Sequence, residues 1–226
     1  MTASSPAAAQ LWATLDEAWR EAFRQAWDAL RTGNFPVGAC ATTPDGRIVH
    51  SARNRVSDRA GPPGEVFGSS LAHAEINVLA RLPFRHHRDL VLTTTLEPCL
   101  QCAAAIRLGP IAAVRFAGAD RYWDGCHQFG RLSAREARRT QPRRFGPRPD
   151  ELGLFGTVIS RIGPARTPGY EQALRSLSPV DAATVDLVHE LADGGEAEAL
   201  AAMEVDAAFG FLWPRLRGLT RPGPAA

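Results

Sequence analysis

Apolar residues recur at helical spacing from Leu11 to Leu30. Leu11, Leu15, Trp19, Ala22, Ala26 and Leu30 fall on one stripe, which Trp12, Phe23 and Trp27 widen. The pattern predicts one long helix stopped by Gly33, with its tryptophans packed in the core. The period then changes. Val37–Thr43 and Arg47–Ala52 are short strand-like runs around the turn signal Pro44-Asp45-Gly46, which predicts a β-hairpin. Ser57–Ser70, carrying Gly and Pro, is a loop. His73–Arg81 is helical and limited by Pro83, and Leu90–Thr95 is a buried-strand candidate. Cys99–Leu108 is a helix ended by Gly109-Pro110, and Ala113–Ala117 is another strand. Strand, helix and strand at this spacing predict a βαβ crossover and a mixed sheet covered by helices. Ser133–Thr140 is a short helix and Leu152–Ile162 a fifth strand.

After Gly163-Pro164 the composition shifts. Asp181–Asp206 holds eight acidic residues and no arginine, and two Ala-rich helices fit near Val180–Ala192 and Glu196–Leu212, with Gly194-Gly195 between. This divides the chain into a core at 8–164 and a helical C-terminal extension at 165–226. The 226 residues, 45% hydrophobic and 22% charged, fall within ordinary globular usage and need no disulfide staples. No apolar run approaches the roughly 18–20 residues of a membrane span. Met1–Gln10 has no basic cluster leading into an apolar stretch, so a soluble, cytoplasmic protein with no membrane partner is expected. A net charge of +2 is too small to argue for a nucleic-acid partner. All 26 basic residues are arginine, which excludes a lysine nucleophile or Schiff base. Four cysteines are too few for a disulfide scaffold, and their spacing points to metal chemistry.

His73-Ala74-Glu75 lies 26 residues before Cys99 in Pro98-Cys99-Leu100-Gln101-Cys102. Cysteines at i and i+3 opening a helix point the same way, so both sulfurs reach one ion, and the helix dipole favours thiolate there. His73 completes three ligands for Zn²⁺ with one tetrahedral position left for water, the arrangement of a catalytic rather than a structural site. Glu75, two residues beyond the histidine, is free to move protons. His-x-Glu followed by Pro-Cys-x-x-Cys is the signature of zinc deaminases. A catalytically inactive, zinc-stabilised binding protein is the alternative of another class, but a purely structural site has no need of Glu75. A disulfide oxidoreductase using Cys99 and Cys102 leaves His73-Ala74-Glu75 without a purpose.

The chain resembles the cytidine/deoxycytidylate deaminase superfamily, in its branch of tRNA adenosine, guanine and cytosine deaminases. The resemblance runs from about Leu11 to Gly118, through Pro36-Val37-Gly38-Ala39, Asn54-Arg55, His73-Ala74-Glu75-Ile76 and Thr95-Leu96-Glu97-Pro98-Cys99. It implies a three-layer α/β/α cytidine deaminase-like fold with a five-stranded mixed sheet, here with a helical C-terminal appendage. It also implies that Asn54 hydrogen-bonds the substrate base and that Glu75 and the Ala74 backbone contact the amidine being deaminated. Glu97 belongs to the pattern as an orienting or capping carboxylate. Relatives in this branch are commonly dimers, so a homodimer is expected. Of the remaining cysteines, Cys40 is expected in the core, and Cys126-His127 in the pocket wall or without a role.

The motif does not name the substrate. Two departures bear on it: Gln101 stands where tRNA adenosine deaminases usually carry methionine, and Asp120–Gly125 carries two large aromatics. Tyr122 and Trp123 either stack on a base or pack under the appendage. Arg131–Arg148 holds seven arginines against Glu136 alone. Such a segment either contacts phosphates or is neutralised by the acidic appendage, and the second is expected. The favoured reading is hydrolytic deamination of a free nucleobase, nucleoside or related heterocycle with release of ammonia. Deamination of adenosine within tRNA is the runner-up.

Overall fold

Asp16 interrupts the long amphipathic stripe near the start of the chain. In the computed structural model, which describes residues 5–83, 89–109, 111–165 and 171–220, helix α1 (Pro6–Thr14) stops before it. The Asp16 side chain then caps α2 (Glu17–Arg31) by accepting from the Trp19 N–H at 3.1 Å. The single predicted helix is therefore two. A short acceptor at the right place outcompetes continuity of the apolar stripe, and Leu15, between the helices, still buries its side chain.

The hairpin forms as predicted, with β1 (Gly38–Thr42) antiparallel to β2 (Ile48–Arg53) and Gly46 at φ 87° in the turn. Strand β3 (Leu90–Leu96) pairs antiparallel with β1 and parallel with β4 (Ile111–Gly118). The crossover from β3 to β4 is α4 (Leu100–Leu108), closed by Gly109, while Pro110 lies outside the described residues. The sheet has five strands in the order β2-β1-β3-β4-β5 and is mixed. Its fifth strand is not the predicted one. β5 is Arg143–Phe145, a short edge strand parallel to β4, and Leu152–Ile162 instead lies within helix α6 (Glu151–Ala165).

Two glycines explain the difference. Gly153 and Gly156 weaken a helical reading of the segment, yet they let α6 press against the sheet. A Cβ on Gly153 would sit 2.2 Å from the Arg148 carbonyl oxygen, and one on Gly156 would sit 2.3 Å from that of Thr95. Leu152, Phe155, Val158, Ile159 and Ile162 are all fully buried, which is helical spacing rather than strand alternation.

Helices α2 and α6 cover one face of the sheet. Helix α3 (Ala74–Ala80) and α4 cover the other, where Val78 and Ile106 meet Leu92 and Val114 in a smaller core. The predicted helix over Ser133–Thr140 shortens to α5 (Ala134–Ala137), capped by the Ser133 hydroxyl. The C-terminal region forms α7 (Glu171–Asp193), α8 (Glu196–Ala202) and α9 (Val205–Thr220). Helix α7 is kinked at Asp181, just past Pro179, and the predicted second helix breaks at Met203.

The larger core crosses the expected boundary at 164/165. Phe155 stacks on Phe23 and Trp27 at ring-centroid distances of 5.5 and 6.0 Å and meets Phe209 of α9 at 5.1 Å. The Trp27 indole N–H donates to the Met203 carbonyl at 2.8 Å. The basic segment, however, is not ion-paired with the acidic one. Among the described residues no ion pair joins them: Asp181, Glu196 and Glu204 pair with Arg161, Arg215 and Arg31. Arg139, Arg144 and Arg148 pair with Glu136, Glu97 and Asp150. Charge run is a property of sequence, whereas pairing depends on which faces the helices turn to one another. No helix among the described residues is long and apolar enough to cross a membrane.

Candidate active site

The crossover brings two helix N-termini together at the carboxyl ends of β3 and β4, where open α/β sheets form their ligand crevices. His73 is the N-cap residue of α3 and Cys99 that of α4, both in extended backbone. Cys102 lies one turn into α4 and is fully buried. The His73 Nδ1 atom stands 3.5 Å from the Cys99 sulfur and 3.4 Å from that of Cys102, and the three ligand atoms lie within 4.8 Å of one another. A tetrahedral ion bonded at about 2.3 Å to sulfur and about 2.0 Å to nitrogen holds those atoms about 3.5 Å apart. The donor set and its spacing fit zinc.

Hydrogen bonding from Cys102, and then from His73, brings the Cys99 thiol down to about 4. The same contact with Cys99, together with burial, pushes Cys102 the other way. Glu75 follows in the first turn of α3 and is only 3% exposed. One of its oxygens accepts from the Thr94 hydroxyl at 3.0 Å and the other from the Cys102 thiol at 3.4 Å. Burial, then the nearby Cys99, raises its pKa above the usual carboxylate value. Ala74, between the ligand and the carboxyl, is fully buried.

These groups open into a cavity of about 260 Å³. His73, Cys99, Glu75, Asn54, Tyr122 and Trp123 all line it; Ala74 and Cys102 lie behind its wall. Asn54 is held by an Asx-type turn, its side-chain oxygen accepting from the Val56 N–H at 3.1 Å. Tyr122 and Trp123 sit in a 3₁₀ turn, Arg121–Trp123, and meet edge to face at 5.1 Å. That turn packs against α7, so the two aromatics border both the cavity and the extension. A larger groove of about 790 Å³, lined by Leu79, Leu82, Leu108 and Arg139 among others, contains none of His73, Cys99 and Cys102.

Further residues line the cavity, and apart from Glu97 they carry no sequence signal of their own. Glu97 accepts from Arg144 at 2.7 Å and from the Asp120 N–H at 3.4 Å, which ties β5 to the loop after β4. Asp120 faces the cavity, and burial raises its carboxyl to about 6. Arg161 of α6 and Leu174 and Leu177 of α7 complete the wall. Reading 152–162 as a strand hid Arg161, and no motif marks the two leucines. Cys40 is in the core, its thiol 3.3 Å from the Ala18 carbonyl and pushed up to about 12 by burial. Cys126 approaches the Pro98 carbonyl at 3.5 Å and is not in the metal-ligand group found among the described residues.

Residues 13–117 match the family model of the cytidine and deoxycytidylate deaminase zinc-binding region. Residues 13–117 therefore carry a deaminase-type zinc-binding region. Over 116 residues it is 31% identical to the tRNA-specific adenosine deaminase 2 of Xenopus tropicalis, covering 47% of this chain and 63% of that protein. Over 90 residues it is 29% identical to the cytosine deaminase of Candida albicans, covering 38% and 55%. The deaminase region thus spans less than two thirds of these curated relatives. A solved structure from studies of A-to-I editing by tRNA:A34 deaminases is 26% identical, with 57% of this chain and 95% of that one covered and a TM-score of 0.45.

Proposed function

We propose that the chain is a zinc-dependent hydrolytic deaminase of a small aminated heterocycle, a free nucleobase or nucleoside. The observation that carries this reading is Glu75, buried and hydrogen-bonded beside His73, Cys99 and Cys102 on the wall of the cavity. Zinc held by these three residues supplies, when bound, a water made nucleophilic near neutral pH. In the reaction the ring carbon bearing the exocyclic amine gains the water's oxygen and loses the amine as ammonia. Glu75 takes a proton from the attacking water, passes it to the ring nitrogen and then helps protonate the departing amine. Asn54 and the Ala74 backbone orient the amidine, and Tyr122 and Trp123 flank the ring. A cavity of about 260 Å³ lies below the roughly 300–1,000 Å³ usual for drug-sized ligands, which suits a single base.

Adenosine within tRNA is the second reading. It is favoured by the tRNA-specific relatives and by Arg131, Arg135 and Arg138, which are exposed and have no acidic partner among the described residues. An ammonia-release screen of the zinc-loaded chain over bases, nucleosides and tRNA tests both readings. Turnover is expected on small substrates and should fall about 10²–10⁴-fold in Glu75→Gln with zinc retained. Release from tRNA alone would favour the second reading. No release from any substrate would leave a zinc-stabilised binding protein.

A further inference from the structure

The cavity contains an arginine for which the deamination chemistry has no use. Arg161 lies in α6, beyond the region matched to the deaminase family, and its side chain is 6% exposed. Its Nη1 meets an oxygen of Asp181, the kink residue of α7, at 2.7 Å, and also the Thr184 hydroxyl one turn further on. Those contacts fix the guanidinium against the cavity wall. A guanidinium carries five N–H donors, of which Nη1 supplies two. Burying a charge is costly, and a well-packed apolar pair would often hold two helices together as well. An arginine at this position is better explained by donors presented to something in the cavity.

The groups around it define what that is. Asp120, Glu75 and Glu97 line the same cavity, and Arg161 is already balanced by Asp181. A phosphate would meet three carboxyl groups there, whereas a neutral carbonyl oxygen would not be repelled. Asp120 accepts from the Tyr122 N–H through one oxygen, and its other oxygen has no partner among the described residues. The cavity thus offers a fixed donor and a free acceptor besides the groups that handle the amidine.

We infer that Arg161 donates to a carbonyl oxygen on the substrate ring while Asp120 accepts a ring N–H. The site then takes an oxo-bearing free base, of the cytosine or guanine type, in preference to adenine. This rests on the deaminase reading and narrows it. Adenine has no ring carbonyl, and a sugar on the ring nitrogen removes an N–H that a free base offers.

Pairs that differ in the ring carbonyl and in the lactam N–H that goes with it provide the test: cytosine against 4-aminopyrimidine, and guanine against 2-aminopurine. Ammonia release by the zinc-loaded chain is measured on each, and binding of each is measured by calorimetry on zinc-loaded Glu75→Gln. The oxo member of each pair should be favoured about 10–100-fold, the range of a hydrogen bond to a charged donor. The double variant Arg161→Gln/Asp181→Asn keeps a neutral hydrogen-bonding pair between the helices and should lower that preference about tenfold, the share of a charged donor, with zinc content unchanged. Arg161→Lys keeps the ion pair but loses the planar fork, and should fall between. Ammonia release with no oxo preference in the unmodified chain, or a preference unchanged in the double variant, would overturn the role of Arg161 and leave the deaminase reading standing. Arg161-dependent oxo preference in binding with no ammonia from any base would instead support the recognition role and remove the deaminase reading.

Discussion

The segment from α2 to β4 and the segment after β4 wall the same cavity by different means. The first contributes polar groups at fixed spacing: His73 and Glu75 at one helix start, Cys99 and Cys102 at another, and Asn54 after β2. The second contributes shape and a few isolated polar groups: the Tyr122-Trp123 turn, Arg161, and the leucines of α7. A reacting centre constrains residue identity and spacing, because ligands and a proton carrier must meet within a few ångströms. A wall constrains only volume and polarity, and many sequences satisfy it. The family model stops at residue 117, where the first kind of constraint gives way to the second.

The largest effect should come from the first region. Cys99→Ala removes one of three ligands and opens a gap at the N-cap of α4, so zinc should be lost and ammonia release abolished. Elemental analysis checks the metal directly, and zinc retained at one ion per chain would remove the ligand assignment. Cys40→Ser and Cys126→Ser should both keep the ion, since neither sulfur joins the ligand group.

How much of this was readable in the sequence follows the same division. The hairpin, the βαβ crossover and the grouping of His73, Cys99 and Cys102 are legible because periodicity, turn chemistry and metal-ligand spacing all act over short stretches. The break at Asp16 does not show in the periodicity because one capping side chain overrides a continuous apolar stripe. α6 has the local pattern of a strand because its glycines serve tertiary packing, which local propensity does not register. Arg144 and Arg161 are the sharper case. Each is one arginine among 26, and only the fold shows that one holds Glu97 while the other faces the cavity.

An intermediate effect tests whether the two regions are one folding unit. Phe155 links α2, α6 and α9 through its contacts with Phe23, Trp27 and Phe209 and is fully buried. Phe155→Ala should cost about 3–5 kcal/mol, the usual range for a buried phenylalanine. Because its neighbours come from both sides of residue 165, unfolding should remain a single cooperative transition that moves as a whole. Chemical denaturation followed by both far-UV circular dichroism and tryptophan fluorescence checks this. Two separated transitions, only one of them shifted, would show that the residues after 165 fold independently of the deaminase region.

The smallest effect is expected where charge is densest. Arg131, Arg135 and Arg138 are exposed, and among the described residues none has an acidic partner, whereas Arg139, Arg144 and Arg148 are held by Glu136, Glu97 and Asp150. Replacing the first three with glutamine should change stability by less than about 0.5 kcal/mol, as for most surface substitutions. Deamination of a free base should also be untouched, because none of the three lines the cavity. The same variant separates the substrate readings. If the exposed arginines track an RNA backbone, tRNA binding by the intact chain weakens with salt at a log–log slope of roughly 0.7–0.9 per phosphate contact. Removing three such contacts then lowers the slope by about 2–3. A salt-insensitive variant that still deaminates a free base as fast as the unmodified chain keeps chemistry and basic surface separate. Loss of tRNA deamination together with that slope would join them, and would make the exposed arginines part of substrate choice.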